Sequence, residues 1–504
     1  MIAALVLAGA LADASPAPAP SRVLAGDRYA HHTVSSSAPG LQTMFDRGLT
    51  LFYAYNGSQG AHVFQAAVDA DPRFAMGYWG LALSYGRDIN TDLTEDHFKR
   101  AHAAIEKAAS LEAGLTAPER AYVDAMRLRY AGAWRDRDND EDAYRHAMGI
   151  TAAHFADDDD LAALYAEALL ENSHQNVWKA GTNSPATPDT TTMVSVLDRV
   201  IARNPEHIMA NHLLIHIFES AVDRTRSIAA AKRLDAMSFA PEDEHLAHMP
   251  AHTWIDIGDY RRAVASSKRA IALFDRYLAQ PDLDRAHKGY LGHDIRVGWG
   301  AALMLGNYAS ARWFATRLLD NAGPDDRYGT ATALRFGDPQ PFAPVNPKDP
   351  KDSLHAFVAY ADLVRGNIGA AKAELAPLFD PQVRNNFVWV LEGRLALIQG
   401  DRKTAEGDFA KAVALEKDQY GGENLPSFPS QELMGFGLYR AGDFNAAERS
   451  FRDALKLYPN DPRALFGLSR TLQREGRAPE AQRTLGAFQK LWQGSDTALS
   501  IDQL

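Results

Sequence analysis

The chain has 504 residues, of which 46% are apolar and 23% charged, enough for about three domains and an ordinary balance for a chain that buries a core. Its formal net charge of −11 is spread along the sequence with no basic stripe, which argues against nucleic acid as the main partner. Cysteine is absent, and this excludes disulfides, thiolate metal ligands and a cysteine nucleophile.

The first predicted element is an export signal over residues 1–14. A short apolar run, Ile2 to Leu11, is followed by small residues suited to cleavage, and it is too short to span a bilayer. Residues 15–40, beginning SPAPAP, read as a linker. No later apolar stretch approaches 18 residues, so no transmembrane segment is expected in the mature chain, and the expected location is periplasmic or secreted.

Past Gly40 almost every segment has helical periodicity, and strand-like alternation is absent. A glycine-led phrase recurs at Gly258, Gly306, Gly366, Gly400, Gly442 and Gly476. Gly366 to Gly400 and Gly442 to Gly476 are each 34 positions apart, and Pro72 and Pro459 fall where a second helix would end. That period and punctuation belong to the tetratricopeptide repeat. The predicted fold is an all-α, tetratricopeptide-type helical-hairpin solenoid, a right-handed superhelix with long loops in its middle. Residues 41–320 form the N-terminal repeat region, 321–352 a Pro/Gly-rich loop, and 353–493 the C-terminal repeats. Asp157 to Asp160 lacks the alternating spacing of a calcium loop and reads as a solvated helix start.

Two HxxxH pairs stand out, His212/His216 and His248/His252. On a helix, residues four apart share a face, so each pair can bind a metal ion from one helix. His212 to His248 and His216 to His252 are both 36 positions, close to the repeat period. In repeat register His245 and His293 join the same predicted face, with Glu219 and Arg296. By resemblance to tetratricopeptide arrays, these first-helix positions face the concave groove. Neutral imidazole suits copper, zinc or iron, and a carboxylate such as Glu219 can complete the sphere or support it. The expected ligands are His212, His216, His248, His252 and His293, followed by His245 and Glu219. Arg296 is the candidate for an anionic group in the groove. Pro250 is expected to kink its helix and aim His248 and His252. The competing reading is a metal-free groove that binds a peptide or protein partner. His62, His97, His102, His146, His154 and His355 read as scattered surface residues, and His174 lies in a loop. Phosphate-cradling loops, nucleophile elbows and H-E-x-x-H motifs are absent.

The stretches FAMGYWGLALSYGRDIN, LAALYAEALLENSHQNVW, NHLLIHIFES, HLAHMPAHTWIDIGDY and GHDIRVGW resemble a group of exported bacterial tetratricopeptide proteins. The resemblance covers roughly residues 45 to 310 and implies no reaction. In those relatives the third stretch usually reads like His-Asn-Leu-His, whereas here it is His293-Asp294-Ile295-Arg296. The resemblance therefore implies one histidine fewer, with a cation in its place. The expected function is an exported repeat protein with a His-rich transition-metal site, a possible metalloenzyme with a small-molecule or peptide ligand. The alternative is a protein- or peptide-binding scaffold.

Overall fold

The structure, a computed structural model, describes residues 30–501 apart from 37, 174–175, 281–287, 323–326, 338–351, 353, 380–383 and 420–424. The expected signal peptide, the linker as far as residue 29, His174 and the central part of the 321–352 loop lie outside the described residues.

The chain divides into two compact units. The first contains residues up to Asn172 with 240–243 and a segment from Asp275. Its helices are α1 (Leu41–Tyr53), α2 (Gly57–Ala70), α3 (Ala75–Ser84), α4 (Glu95–Ala109), α5 (Ala117–Arg129), α6 (Arg137–His154) and α7 (Asp159–Asn172). Each packs against the next in sequence. Their starts are set locally: Asn56 and Thr94 accept hydrogen bonds from Gln59 N and His97 N, and Thr116 with Glu119 forms a capping box. The end of the expected linker is pinned in this unit. Ser35 N and Oγ both donate to Glu119, and Val34 is buried.

The second unit holds 173–239, 244–274 and the chain from Lys288 onward. Here α8 (Pro188–Arg203) precedes α9 (Ile208–Glu219) and α10 (Ile228–Ala236). The next first helix is split into α11 (Glu244–His248) and α12 (Pro250–Asp256), and α13 (Tyr260–Leu278) follows. Then come α14 (Lys288–Leu305), α15 (Tyr308–Ala322), α16 (Arg327–Arg335), α17 (Leu354–Arg365) and α18 (Ile368–Leu375). The C-terminal hairpins are α19 (Asn386–Ile398) with α20 (Arg402–Gln419), α21 (Ser430–Arg440) with α22 (Phe444–Leu457), and α23 (Pro462–Arg474) with α24 (Ala478–Leu491). The expected 321–352 loop is therefore not loop throughout. Helix α16 sits inside it, buried from Gly329 to Arg335, and Arg335 forms a two-pronged ion pair with Glu432 at 2.7 Å.

The recurring glycines end the first helix of their hairpins. Gly258, Gly306, Gly366, Gly400, Gly442 and Gly476 all have φ between 73° and 82°. In the first of these, Gly258 N bonds to Ile255 O and Asp259 N to Trp254 O, the double closure of a Schellman turn. A residue with a Cβ is strained in that left-handed conformation, so glycine marks each turn in the sequence.

A second, unforeseen pattern locks the hairpins together. Gly48, Gly298, Gly393 and Gly435 each face the phenylalanine sixteen positions later: Phe64, Phe314, Phe409 and Phe451. A Cβ placed on any of them would lie 2.4–2.6 Å from the ring, so the missing side chain is what lets the second helix seat against the first. The pattern appears in both units.

The C-terminal hairpins also pack back on the middle of the second unit. Tyr260 Oη donates to Pro459 O at 2.9 Å, and Asn460 Nδ2 donates to Ile257 O. A Cβ on Gly258 would fall on the Pro459 carbonyl. Asp496 accepts from Tyr308 N and Ala309 N at the start of α15, and α14 packs on α23. Among the described residues no helix is long and apolar enough to cross a membrane.

Candidate metal centre

Helices α9, α11/α12 and α14 lie side by side as the first helices of three successive hairpins, with α12 packed against both α9 and α14. Asn211, Arg233 and His207 fix the start of α9: His207 Nδ1 caps Ala210 N, and Asn211 bonds to Pro205 O and Arg233. Behind α12, Asp235 accepts from Trp254 Nε1, Ser266 Oγ and Arg269.

Pro250 does more than bend its helix. Without an N–H it cannot bond to the Leu246 carbonyl, and its ring crowds that oxygen. The helical hydrogen bonding is interrupted there, so α11 gives way to α12 at Met249, whose own backbone stays helical. His248 ends one segment and His252 lies in the first turn of the other.

The structure brings six imidazoles together in two groups of three. His212, His216 and His245 form one, and His248, His252 and His293 the other; within each, one ligand atom per residue lies within 4.8 Å of the others. His212 Nε2 is 3.1 Å from His216 Nε2. In the second group His252 Nε2 is 2.8 Å from His248 Nε2 and 3.4 Å from His293 Nε2. Two nitrogens each about 2.0–2.1 Å from one ion and about 90–110° apart would be roughly 2.9–3.4 Å from each other. The rings are therefore spaced as ligands of a shared ion would be.

Four of the six rings are buried, and His216 and His293 are half-buried. His212 and His248 have no exposure, and His245 and His252 are 2% and 3% exposed. Burial pushes the His245 and His248 imidazoles well below their ordinary range, and the neighbouring rings add to it. Burial, His252 and Arg296 together push His293 down to about 3. Neutral imidazole is the form that binds a metal.

Carboxylates stand at the opposite nitrogens of the rings. Glu219 Oε1 lies 2.6 Å from His252 Nδ1 and 3.3 Å from His216 Nδ1, at ion-pair distance though not aligned as hydrogen bonds. Burial favours the neutral acid, but the two imidazoles outweigh it and hold the Glu219 carboxyl well below its ordinary range. Asp294 Oδ1 faces His248 Nδ1 at 3.5 Å, with both side chains fully buried. Burial, reinforced by Glu244, raises the Asp294 carboxyl well above its usual value. This is the carboxylate–histidine pairing that orients metal-binding imidazoles.

Among the sequence candidates, all six histidines fall in these groups, and Glu219 sits behind two of them. Arg296 is exposed on α14 and reaches the groups through its charge on His293. Asp294 was not singled out, although its place among the apolar residues Ile295 and Val297 is a signal that it is buried. His355 is not a surface residue: it is 8% exposed and pairs with Glu374 Oε2 at 2.7 Å. The Asp157–Asp160 run is less solvated than expected. Asp158 accepts from Leu161 N and Tyr122 Oη, and Asp160 from Tyr53 Oη, with His32 Nδ1 3.0 Å away. His32, Asp158 and Asp160 could also hold an ion, but hydrogen bonds already engage both carboxylates. Burial would lower the His32 imidazole, and Asp160 reverses this and raises it. The arrangement is that of an ionic lock within the first unit.

Comparison with known proteins places tetratricopeptide repeat sequence at residues 438–489, which match the family described as "Tetratricopeptide repeat". No curated protein sequence matches the chain. Among solved structures it is similar to the human IFIT1 dimer with m7Gppp-AAAA, at 13% identity, covering 91% of this chain and 96% of that one with a TM-score of 0.32. It is also similar to yeast Tom70, at 12% identity, covering 92% and 93% with a TM-score of 0.28. A third similar structure is the P58(IPK) TPR domain, at 15% identity, covering 89% and 99% with a TM-score of 0.23.

Proposed function

We propose that this tetratricopeptide-repeat chain is an exported transition-metal protein whose buried imidazoles bind copper, zinc or iron. The observation that carries this reading is the set of Nε2–Nε2 separations of 2.8–3.4 Å among buried rings. Imidazoles can make such contacts without a metal by sharing protons, but six in one largely buried patch, three of them with a carboxylate at the far nitrogen, match the layout of a metal centre. The chain has no cysteine, and a set of imidazoles suits borderline ions that favour nitrogen. The test is metal content after stripping with chelator and reloading with Zn2+ and Cu2+. Retention of metal through gel filtration supports the reading. Wild-type protein that retains none of either ion sinks it.

A second reading has its own observation. A cavity of about 150 Å³ in the second unit is lined by Phe357, Phe387 and Phe428 together with Asn385, Asn386 and Arg327. Aromatic faces beside amide groups suit a peptide, as expected of a repeat scaffold. Binding of peptide libraries that is lost in Phe387→Ala, with metal content unchanged, would support it. Binding unaffected by that substitution counts against it.

A further inference from the structure

We infer that the centre holds two metal ions, one in each three-imidazole pocket, tied to each other by the Glu219 carboxylate. This rests on the metal reading above and deepens it. His212, His216 and His245 form the first pocket, and His248, His252 and His293 the second.

The direction of the rings carries the argument. His216 turns Nε2 toward His212 and Nδ1 toward Glu219. His252 turns Nε2 toward His248 and His293 and Nδ1 toward the same Glu219 oxygen. Each imidazole thus presents one nitrogen to its own pocket and the other to the shared acid. Glu219 is a positioning residue for both pockets, not a ligand of either. His216 and His252 both turn Nδ1 to the one Glu219 oxygen, with ring centroids 6.0 Å apart, so each Nε2 is left to its own group rather than to one shared ion.

Three imidazoles per ion leave a coordination position open, the layout of a catalytic site rather than a closed structural one.

The decisive experiment loads the full chain with Zn2+ after chelation and counts ions per chain by mass spectrometry of the elements. Two are expected for the wild type, and one each for His245→Gln and His293→Gln. Circular dichroism checks that both variants keep their helices. One ion in the wild type overturns the two-pocket inference and leaves the metal reading standing, whereas none overturns both. Two ions retained in both variants overturn the assignment of the third ligands. Cu2+ loading gives an independent readout. The wild type is expected to show a paramagnetic resonance signal altered by coupling between ions, and His245→Gln the signal of an isolated ion. Identical signals per ion overturn the inference. Glu219→Gln is expected to weaken both ions on the order of 10–100-fold. Loss confined to one pocket overturns the shared role.

Discussion

Glu219 Oε1 stands 2.6 Å from His252 Nδ1, so an acid at the end of α9 steadies an imidazole on the next hairpin. The contact crosses between repeats, and the histidines of α9 and α12 are thereby parts of one construction. Changes well away from the imidazoles should be felt there.

Asp294 is the outer partner of His248 alone. Asp294→Asn keeps the shape and replaces a carboxyl oxygen facing His248 with an amide, and it should weaken Zn2+ retention on the order of 10–100-fold with unchanged helical content. Competition with a chromophoric chelator measures this, and equal affinity would refute the role.

Replacing Pro250 by alanine restores an N–H toward the Leu246 carbonyl and removes the clash, so α11 and α12 should join. Stability should hold or rise, because proline in a helix interior costs about 3 kcal/mol relative to alanine. Metal affinity should nevertheless fall, since His248 and His252 would turn away from their present directions. Thermal unfolding of the apo chain together with Zn2+ titration separates the two effects. Unchanged affinity would show that the break does not aim the rings.

Gly435→Ala puts a methyl group 2.6 Å from Phe451, in a well-packed seam. A loss of roughly 1–3 kcal/mol is expected from overpacking. Gly407→Ala, on a helix with open space around it, should instead be neutral or stabilising by up to about 1 kcal/mol. Urea unfolding of the two variants compares them directly, and equal midpoints would contradict the seam.

In the first unit Arg129 Nη2 donates to Glu171 Oε2 at 2.7 Å, and Arg129 Nε to Glu141 at 3.0 Å. Burial raises Glu171 to about 8; Arg129 opposes this and Glu141 adds to it. An unfolded glutamate titrates near about 4.3. Between those values the folded chain holds a proton that the unfolded chain has released, so stability falls as pH rises from about 4.3 through about 8. The contribution is complete below that window and gone above it. Glu171→Gln should flatten this slope in unfolding midpoints measured from pH 5 to pH 9, and an unchanged slope would reject the assignment.

The repeat was legible because its marks are local. A left-handed turn strongly favours glycine, so Gly366, Gly400, Gly442 and Gly476 could be read without the rest of the chain. The histidine register was legible for a similar reason: a period of 36 residues repeats positions on equivalent helices. The division into two pockets was not. It depends on ring rotation, which does not follow from spacing. The Gly–Phe seam was present in the letters, but its sixteen-residue interval links two helices through packing, which periodicity along one helix does not reveal. Register also placed Arg296 beside the histidines, where it is exposed and its charge acts on His293.

The seating of Pro459 against Gly258 has a consequence for how the molecule comes apart. A repeat array whose members touch only their neighbours can fray from its ends one hairpin at a time. Here the turn before α23 grips the turn after α12, and Asp496 holds the start of α15. Peeling away the final hairpins therefore takes the support of α12 with it. Folding must also wait for partners some two hundred residues apart in sequence to meet, which slows assembly. The imidazoles of α12 are thus held in part by the far end of the chain.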